Sequence, residues 1–323
     1  MSQPFPSHPV TNRAARRDPT RTATLRAAYV RAMRARFAKL KKLINQTIIE
    51  NNALMLGEKR GGELPVLLAG NPYPLPLPRS QGQRTGEGGR GVINAKAARQ
   101  YDWPSDPAGK AEAFMAWLME AADEEILEVT SRDGRRIVSS SRWQDKYVRG
   151  AYGSGIQQAT AGLRQAGLEI PQYTLSAVFN APMHADVLAL LFARNFNELK
   201  GVTDAMGQQI ARTLAEGLAS GVGPREIARL ISARVDAIGI NRATTIARSE
   251  VIHAHAEATL NRFDEFGIEG AEGEAEWSTA GDALVCEQCR PLDGKVFRLA
   301  EARGMLPLHP NCRCAWKPVV KLT

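Results

Sequence analysis

Five side chains that could bind a metal ion lie close together near the end of the sequence. Cys286 and Cys289 form a C-x2-C pair, and after nineteen intervening residues the segment that starts at His309 supplies the other candidates. Two close ligand pairs joined by a loop are typical of tetrahedral zinc sites. The sequence therefore predicts a zinc site in which one of five candidates is surplus. The predicted ligands are Cys286, Cys289, Cys312 and either His309 or Cys314.

A site with four protein ligands has no open position for water, so we predict a structural role for the metal rather than a catalytic one. The four cysteines of the chain all lie in its last 38 residues, and such clustering points to metal before disulfides when secretory features are lacking. The alternative is four reduced thiols packed beneath a small hairpin layer, or one transient disulfide.

No catalytic set accompanies the cysteines. The sequence contains no P-loop, no nucleotide-binding glycine motif and no nucleophile elbow. The E-x-E spacing of Glu272, Glu274 and Glu276 occurs in ADP-ribosylating enzymes, but here it is better explained as an acidic loop that enters a strand. We therefore expect no enzyme activity and no small-molecule substrate.

A second feature with chemical consequences is the basic N-terminal segment. Residues 12–42 contain eleven Lys or Arg and one acid, Asp18, which gives a local charge of +10 in a chain whose total is +8. Such density attracts polyanions through counterion release, although a solvated helix face has the same composition. Because this segment is far from the cysteines in sequence, we expect the two features to be separate. The residues predicted to contact a polyanion such as DNA, or an acidic protein surface, are Arg26, Arg31, Arg34, Arg36, Lys39, Lys41 and Lys42.

The elements that must position these residues are predicted to be mainly helical. Apolar residues recur every three or four positions from Thr22 to Ile49, which predicts a basic amphipathic helix that packs on a later helix. Beyond residue 183 we expect two helices that meet near Thr203, then a packed helical hairpin that starts at Pro224 and breaks at Gly239. Further helices are predicted over 111–128, 142–166 and 241–266. After Gly267 the pattern indicates short strands and hairpins.

The predicted fold class is α+β, predominantly helical, with a small C-terminal β-hairpin module clamped by zinc. No apolar run approaches the roughly 20 residues of a membrane helix, and the N-terminus lacks a signal-like pattern, so we expect synthesis in a cytoplasm and no membrane contact. The expected divisions are a basic arm and helix (1–56), a Pro/Gly-rich linker or loop (57–109), a helical region (110–182), and a last domain (183–323) with helices in 183–267 and a Cys-rich β module in 268–323.

The segment from Asn195 to Pro318 resembles the phage Mu F-like head morphogenesis proteins, also called minor head or minor capsid proteins. The matching runs, in order, are NFNELKGVTDAM, LAEGLASGVGPREIARLI, RATTIARSEVIHAHAEATLNRF, EWSTAGDALVCEQCRPLDGKVF and PLHPNCRCAWKP. Upstream, RARFAKLKKLI, FMAWLMEAADEEIL and RWQDKYVRGAY resemble the amino-terminal region of one branch of the family.

This resemblance implies a non-enzymatic virion protein of low copy number that joins the prohead near the portal vertex. Its implied partners are the portal protein, capsid or scaffold proteins and packaged DNA, and its implied location is the capsid interior, with host cytoplasm during assembly. Many relatives have Arg and His in place of the C-x2-C pair, so family membership does not itself imply zinc. The alternative function is a zinc-containing nucleic-acid-binding or -processing protein.

Overall fold

The computed structural model describes residues 18–56, 101, 103–132, 135–138, 141–266 and 273–319. As the sequence predicts, the protein is mainly helical with a small antiparallel sheet near its C-terminus. The helices are α1 (Ala23–Asn45), α2 (Pro107–Ala122), α3 (Asp145–Gln165), α4 (Leu175–Asn180), α5 (Pro182–Ala219), α6 (Pro224–Arg234), α7 (Asn241–Glu265) and α8 (Leu299–Ala302). The strands are β1 (Val129–Arg132), β2 (Arg135–Val138), β3 (Glu274–Ser278), β4 (Val296–Arg298) and β5 (Ala315–Val319).

Helix α1 buries the apolar stripe that the sequence predicts. Tyr29, Met33, Phe37 and Leu40 are completely buried in the main core, where α1 packs against α7, α3 and α6. A π-helical turn extends the helix to Glu50. Burial of each large apolar side chain stabilises the fold by about 1.5–3 kcal/mol. The stripe is therefore part of the protein core, as expected.

The predicted division of the next long helix near Thr203 is wrong. Helix α5 runs without interruption for 38 residues. Thr203 is not a helix N-cap, because it is buried inside the helix and its hydroxyl donates to the carbonyl oxygen of Lys200 at 2.8 Å. Leu199 and Met206 continue the buried stripe across the expected break, so core packing outweighs a local capping signal.

The predicted break at Gly239 is also wrong. Helix α6 begins at Pro224, as expected, but continues through a π-helical turn over Val235–Ile240 directly into α7, so there is no helical hairpin. A Cβ atom at Gly239 would lie 2.5 Å from the ring of Phe37. Glycine at this position allows α1 to approach closely and does not end a helix.

Several elements differ from the predicted map or lie outside it. The β1–β2 hairpin and the short helix α4 are absent from the sequence prediction. Helix α2 begins at Pro107, where the carboxylate of Asp106 accepts a hydrogen bond from the backbone N–H of Gly109 at 2.8 Å.

Most of the predicted Pro/Gly-rich linker, residues 57–100, lies outside the described residues. No helix in the described ranges combines the length and apolar character needed to cross a bilayer.

Residues 273–319 form what we call the C-terminal module, a three-stranded sheet in the order β4-β3-β5 with both pairings antiparallel. The short strands and the Asp293-Gly294 turn agree with the sequence prediction, and Gly294 has a positive φ of 79°. The rings of Trp277 and Trp316 meet edge to face, with centroids 5.2 Å apart. They pack in a second core with apolar residues of α3 and α7, so the module is seated on these two helices.

Polar contacts also hold the module against α7. Arg303, directly after α8, donates hydrogen bonds to Asn261 at 2.6 Å and to Asp264 at 3.1 Å. The backbone N–H of Gly304 donates to Glu257 at 3.1 Å. Hydrogen bonds to charged partners are stronger than neutral ones, so this edge of the module is fixed to the helical body.

Candidate metal centre

The candidate ligands lie in two turns of the C-terminal module. Cys286 and Cys289 lie in the turn that precedes a short 3-10 segment at Arg290–Leu292. The second turn is closed by a hydrogen bond from the backbone N–H of Cys312 to the carbonyl oxygen of His309, and Asn311 within it adopts a positive φ of 63°. Asparagine tolerates this left-handed conformation better than most residues. Each turn thus presents its ligand atoms toward the other.

The structure brings all five predicted ligand residues into one cluster of two overlapping triplets. Cys286, Cys289 and His309 form the first, Cys289, Cys312 and Cys314 form the second, and within each triplet the ligand atoms lie within 4.8 Å of one another. Cys289 belongs to both and is only 2% exposed. All four cysteines are free thiols, so the disulfide alternative is not what the structure contains.

His309 has the tautomer that a metal ligand requires. Its Nδ1 lies 2.9 Å from the carbonyl oxygen of Pro310, and because a carbonyl only accepts, Nδ1 carries the proton in the neutral ring. Nε2 is then free to accept, and it lies 3.0 Å from the sulfur of Cys286 and 3.2 Å from that of Cys289. A backbone carbonyl that orients the second ring nitrogen is a regular feature of zinc-binding histidines.

The separations between ligand atoms are compatible with a zinc ion. Zn–S and Zn–N bonds of about 2.3 and 2.0 Å in a tetrahedron imply S···S and S···N separations of about 3.8 and 3.5 Å. The sulfurs of Cys289 and Cys312 are 3.9 Å apart, close to the first value. The two contacts of His309 Nε2 with sulfur, at 3.0 and 3.2 Å, are about 0.3–0.5 Å shorter than the second value, so this side of the cluster would open slightly around an ion.

The thiols have sharply different acidities. A hydrogen bond from Cys314, with further ones from backbone N–H groups, lowers the pKa of Cys312 to about 5, and the same Cys312–Cys314 interaction raises the pKa of Cys314. Burial, together with the nearby Cys312, raises the pKa of Cys289 to about 12. At Cys286 burial acts to raise the pKa, but hydrogen bonds from Cys289 and Gln288 outweigh it and the net shift is downward. The cluster thus favours a thiolate at Cys312 and the protonated form of Cys289 and Cys314.

The basic segment is not separate from the cysteines, contrary to the expectation from sequence distance. Burial lowers the pKa of Arg26, its ion-pair partner Asp18 opposes this, and the positive charges of Arg313 and Arg248 lower it further. The charge of Cys312 also acts on Arg26. The start of α1 therefore lies beside the metal-ligand turns, because α1 and α7 pack together and the module sits on α7.

Two further arginines, Arg313 of the module and Arg248 of α7, complete this basic neighbourhood. Arg313, between the two last cysteines, forms a bidentate pair with Asp282 at 2.6 and 2.8 Å. Arg248 on α7 donates to the side chain of Asn311 at 3.2 Å. Both contacts join the ligand-bearing second turn to its surroundings, so they brace the cluster from outside.

Four of the seven predicted contact residues are engaged within the protein. The guanidinium of Arg36 donates a hydrogen bond to the carboxylate of Glu128 at 2.6 Å and lies over the ring of Trp143. Arg26 pairs with Asp18, Lys39 with Glu125 and Lys41 with Asp236, the last two at 2.7 Å. Within the described part of the chain, Arg31, Arg34 and Lys42 are exposed and form no ion pair. Contact of the arm with DNA or portal remains a prediction.

The histidines of α7 serve the packing of the helix. His253 donates from Nδ1 to the carbonyl oxygen of Leu306 in the module at 3.0 Å. His255 is completely buried and donates from Nε2 to Gln158 on α3 at 2.8 Å. Gln158 in turn donates to the carbonyl oxygen of Pro19. The two histidines, two residues apart on the helix, thus point to different partners.

Sequence reasoning missed the role of Asp18, which lies where the N-terminal segment meets the module. Its carboxylate accepts from the hydroxyl of Thr20 at 2.8 Å and pairs with Arg26. It also acts electrostatically on Arg313 and His255. The sequence contained one signal of this role, since Asp18 is the only acidic residue among residues 12–42.

One family of known proteins is similar to part of this chain. The family model described as Phage Mu protein F like protein matches residues 208–317, which includes the end of α5, helices α6 and α7, and both ligand-bearing turns. No curated protein and no solved structure matches the chain significantly. Residues 208–317 are thus similar to the Phage Mu protein F like family.

Proposed function

We propose that this protein is a structural, non-enzymatic component of the phage head, present in few copies and added at the portal vertex during prohead assembly. The observation that carries the proposal is the Mu F-like match over residues 208–317. The geometry supports it, because the C-terminal module is joined to the helical body by both an apolar core and the contacts of Arg303. A fixed module of this kind suits docking between capsid proteins.

In this proposal a zinc ion is bound by Cys286, Cys289, His309 and Cys312, and its role is structural. His309 is favoured over Cys314 because its Nε2 already contacts two of the thiols and its Nδ1 is held by Pro310. Cys314 instead stabilises the Cys312 thiolate through a hydrogen bond, as partners of metal ligands commonly do. The ion would join two turns that have little apolar core of their own.

The assembly role is tested with heads produced with and without the portal protein. The protein should co-sediment with portal-containing heads at far below the copy number of the major capsid protein, and should be missing from portal-free heads. Presence at major-capsid copy number, or absence from both kinds of particle, would contradict the proposal.

The zinc site is tested by elemental analysis of the purified, reduced protein. We expect about one zinc per chain, as for a closed four-ligand site. Removal of the ion with a chelator should make the module sensitive to protease, because the binding free energy of such a site is folding free energy. A folded, reduced and protease-resistant protein without metal would disprove this role.

A second candidate function is favoured by one observation, the closeness of Arg26, Arg248 and Arg313 to the cysteine turns. A zinc module surrounded by arginines is also found in proteins that bind or process nucleic acid. This alternative requires tight DNA binding by the protein outside any capsid, or metal-dependent cleavage of DNA. Cleavage that is lost with the metal would replace the structural proposal.

A further inference from the structure

The first half of helix α5 turns an apolar face toward solvent. Met183 and Leu190 are 40% and 71% exposed, Ala193 is exposed, and Val187 is half-buried at the edge of this face. The four residues follow one another at intervals of three or four, so they lie on one side of the helix. We call them the α5 apolar face.

The opposite side of the same helical turns is held by the protein core. His184, Leu188 and Leu191 are buried there. A surface helix with one buried side normally presents polar residues on the other, and a single exposed apolar residue needs no explanation. Four apolar residues on one exposed face are instead typical of a contact surface.

Two opposite charges stand at equal distances from Leu190 along the helix. Asp186 is four residues before it and Arg194 is four residues after it, and both are exposed. Within the described residues Asp186 forms no ion pair. Arg194 donates to Glu250 through Nε at 3.2 Å, and 49% of its side chain is exposed. The two terminal nitrogens of its guanidinium take no part in that bond and can bind a second carboxylate.

This arrangement is complementary to itself when two copies pair with antiparallel α5 helices. If the helices cross at Leu190, the Asp186 of each copy comes level with the Arg194 of the other, about 6 Å along the axis from the crossing point. The larger Val187 comes level with the small Ala193 in the same way. A parallel pair would place like charges level with one another, so charge selects the antiparallel orientation.

We infer that the α5 apolar face is a dimer interface, occupied by the same face of a second copy of this chain in antiparallel orientation. Leu190 lies at the two-fold axis, where it is buried against its own counterpart. The two ion pairs of Asp186 with Arg194 form the rim on either side. An apolar centre with a polar rim is the usual anatomy of a protein interface, and a self-complementary patch is what two-fold symmetry requires.

Sedimentation velocity of the zinc-loaded full chain, over a wide range of protein concentrations, tests the dimer. The unchanged protein should approach twice the mass of one chain as its concentration rises. Leu190→Lys should raise the dissociation constant by about thirtyfold or more, as is usual for the central residue of an interface. Because Leu190 is largely exposed in the single chain, the substitution should not disturb the fold, which circular dichroism and zinc content verify.

Leu284→Lys is the matched control. Leu284 is 80% exposed in the C-terminal module, so the same substitution removes an exposed leucine far along the chain from α5. The dissociation constant of this variant should equal that of the unchanged protein. An equal weakening by the two substitutions would show general association of exposed apolar groups and would overturn the assignment to α5.

The orientation of the two helices is tested by Asp186→Asn. In the antiparallel dimer this substitution removes two ion pairs and should raise the dissociation constant by about threefold to tenfold. Added salt should weaken the unchanged dimer more than the Asp186→Asn dimer, because only the former has these pairs to screen. A dimer that becomes tighter in Asp186→Asn would overturn the antiparallel orientation.

A mass of one chain at every concentration would overturn the dimer itself. In that case a lower melting temperature of Leu190→Lys would show that another part of the same chain covers the face. Poor incorporation of Leu190→Lys into heads would instead assign the face to a capsid protein. The dimer goes beyond the proposed function, and loss of the dimer with normal incorporation into heads would leave the assembly role intact.

Discussion

Gly155 on α3 lies directly against the backbone of His255 on α7. A Cβ atom at Gly155 would overlap the carbonyl oxygen of His255 and would stand 2.8 Å from the Cβ of Ala258. The two helices thus touch backbone to backbone at this point. The α3–α7 contact supports the C-terminal module, because the module packs on the same two helices.

Gly155→Ala should therefore destabilise the protein by about 1–3 kcal/mol, the usual cost of overpacking a close-packed site. The clash involves backbone, which cannot rotate away. Gly201→Ala is the matched control, since a Cβ there meets nothing within 4 Å, and it should stabilise α5 by about 0.5–1 kcal/mol. Chemical denaturation measures both. An equal gain of stability in the two variants would show that the helices are less closely packed.

His255 should make the protein sensitive to acid. Burial lowers its pKa to about 4, with Asp18 opposing and Arg26 adding to the effect. Above pH 6.5 the ring is neutral in both the folded and unfolded states and contributes nothing. Below that pH the unfolded chain binds a proton that the folded chain excludes, so stability falls, by about 2 kcal/mol at pH 5.

His255→Gln should lack this part of the acid sensitivity. The free energy of unfolding of the variant and of the unchanged protein, measured from pH 7 to pH 4, should differ progressively more in favour of the variant as the pH falls. Loss of metal at low pH affects both proteins, so it cancels in the difference. Parallel curves would mean that His255 titrates normally.

Cys289→Ser should abolish metal binding, because Cys289 is shared by both ligand triplets. Zinc content should fall close to zero, and protease should cut within the C-terminal module. Cys314→Ser should retain zinc with weakened affinity, since we assign Cys314 to the support of Cys312. Loss of zinc in Cys314→Ser with retention in His309→Gln would reverse the ligand assignment.

Arg303→Gln should loosen the module without emptying the metal site. The change removes the charged hydrogen bonds to Asn261 and Asp264, at a cost of about 1–3 kcal/mol. Protease cleavage near residues 299–305 should accelerate, while zinc content stays unchanged. Unaltered cleavage would show that the apolar core alone holds the module.

The sequence predicts those parts of the fold that follow from local periodicity. The buried stripe of α1, the start of α6 at Pro224 and the short strands around the Asp293-Gly294 turn all agree with the structure. The helix breaks at Thr203 and Gly239 are wrong, because both residues have tertiary roles that local signals do not contain. Thr203 lies within the core, and Gly239 makes room for Phe37.

The residue types of the candidate metal site could be predicted from the sequence, but the residues that surround them could not. Spacing alone identifies the five candidate ligands, since turns bring near neighbours together. Proximity of Arg26 to Cys312 was not predictable, because it depends on how α1 packs along α7. The partners of Lys41 and Arg36, Asp236 and Glu128, are likewise distant in sequence.

The uninterrupted helical path from Pro224 to Glu265 has a practical consequence for anyone who isolates the family-matched region. Its last part, α7, buries one side against α1 and another against α3, and both of those helices precede residue 208. A fragment that begins at residue 208 would expose these apolar faces to solvent and would be prone to aggregate. The unit recognised by sequence kinship is therefore smaller than the unit that folds.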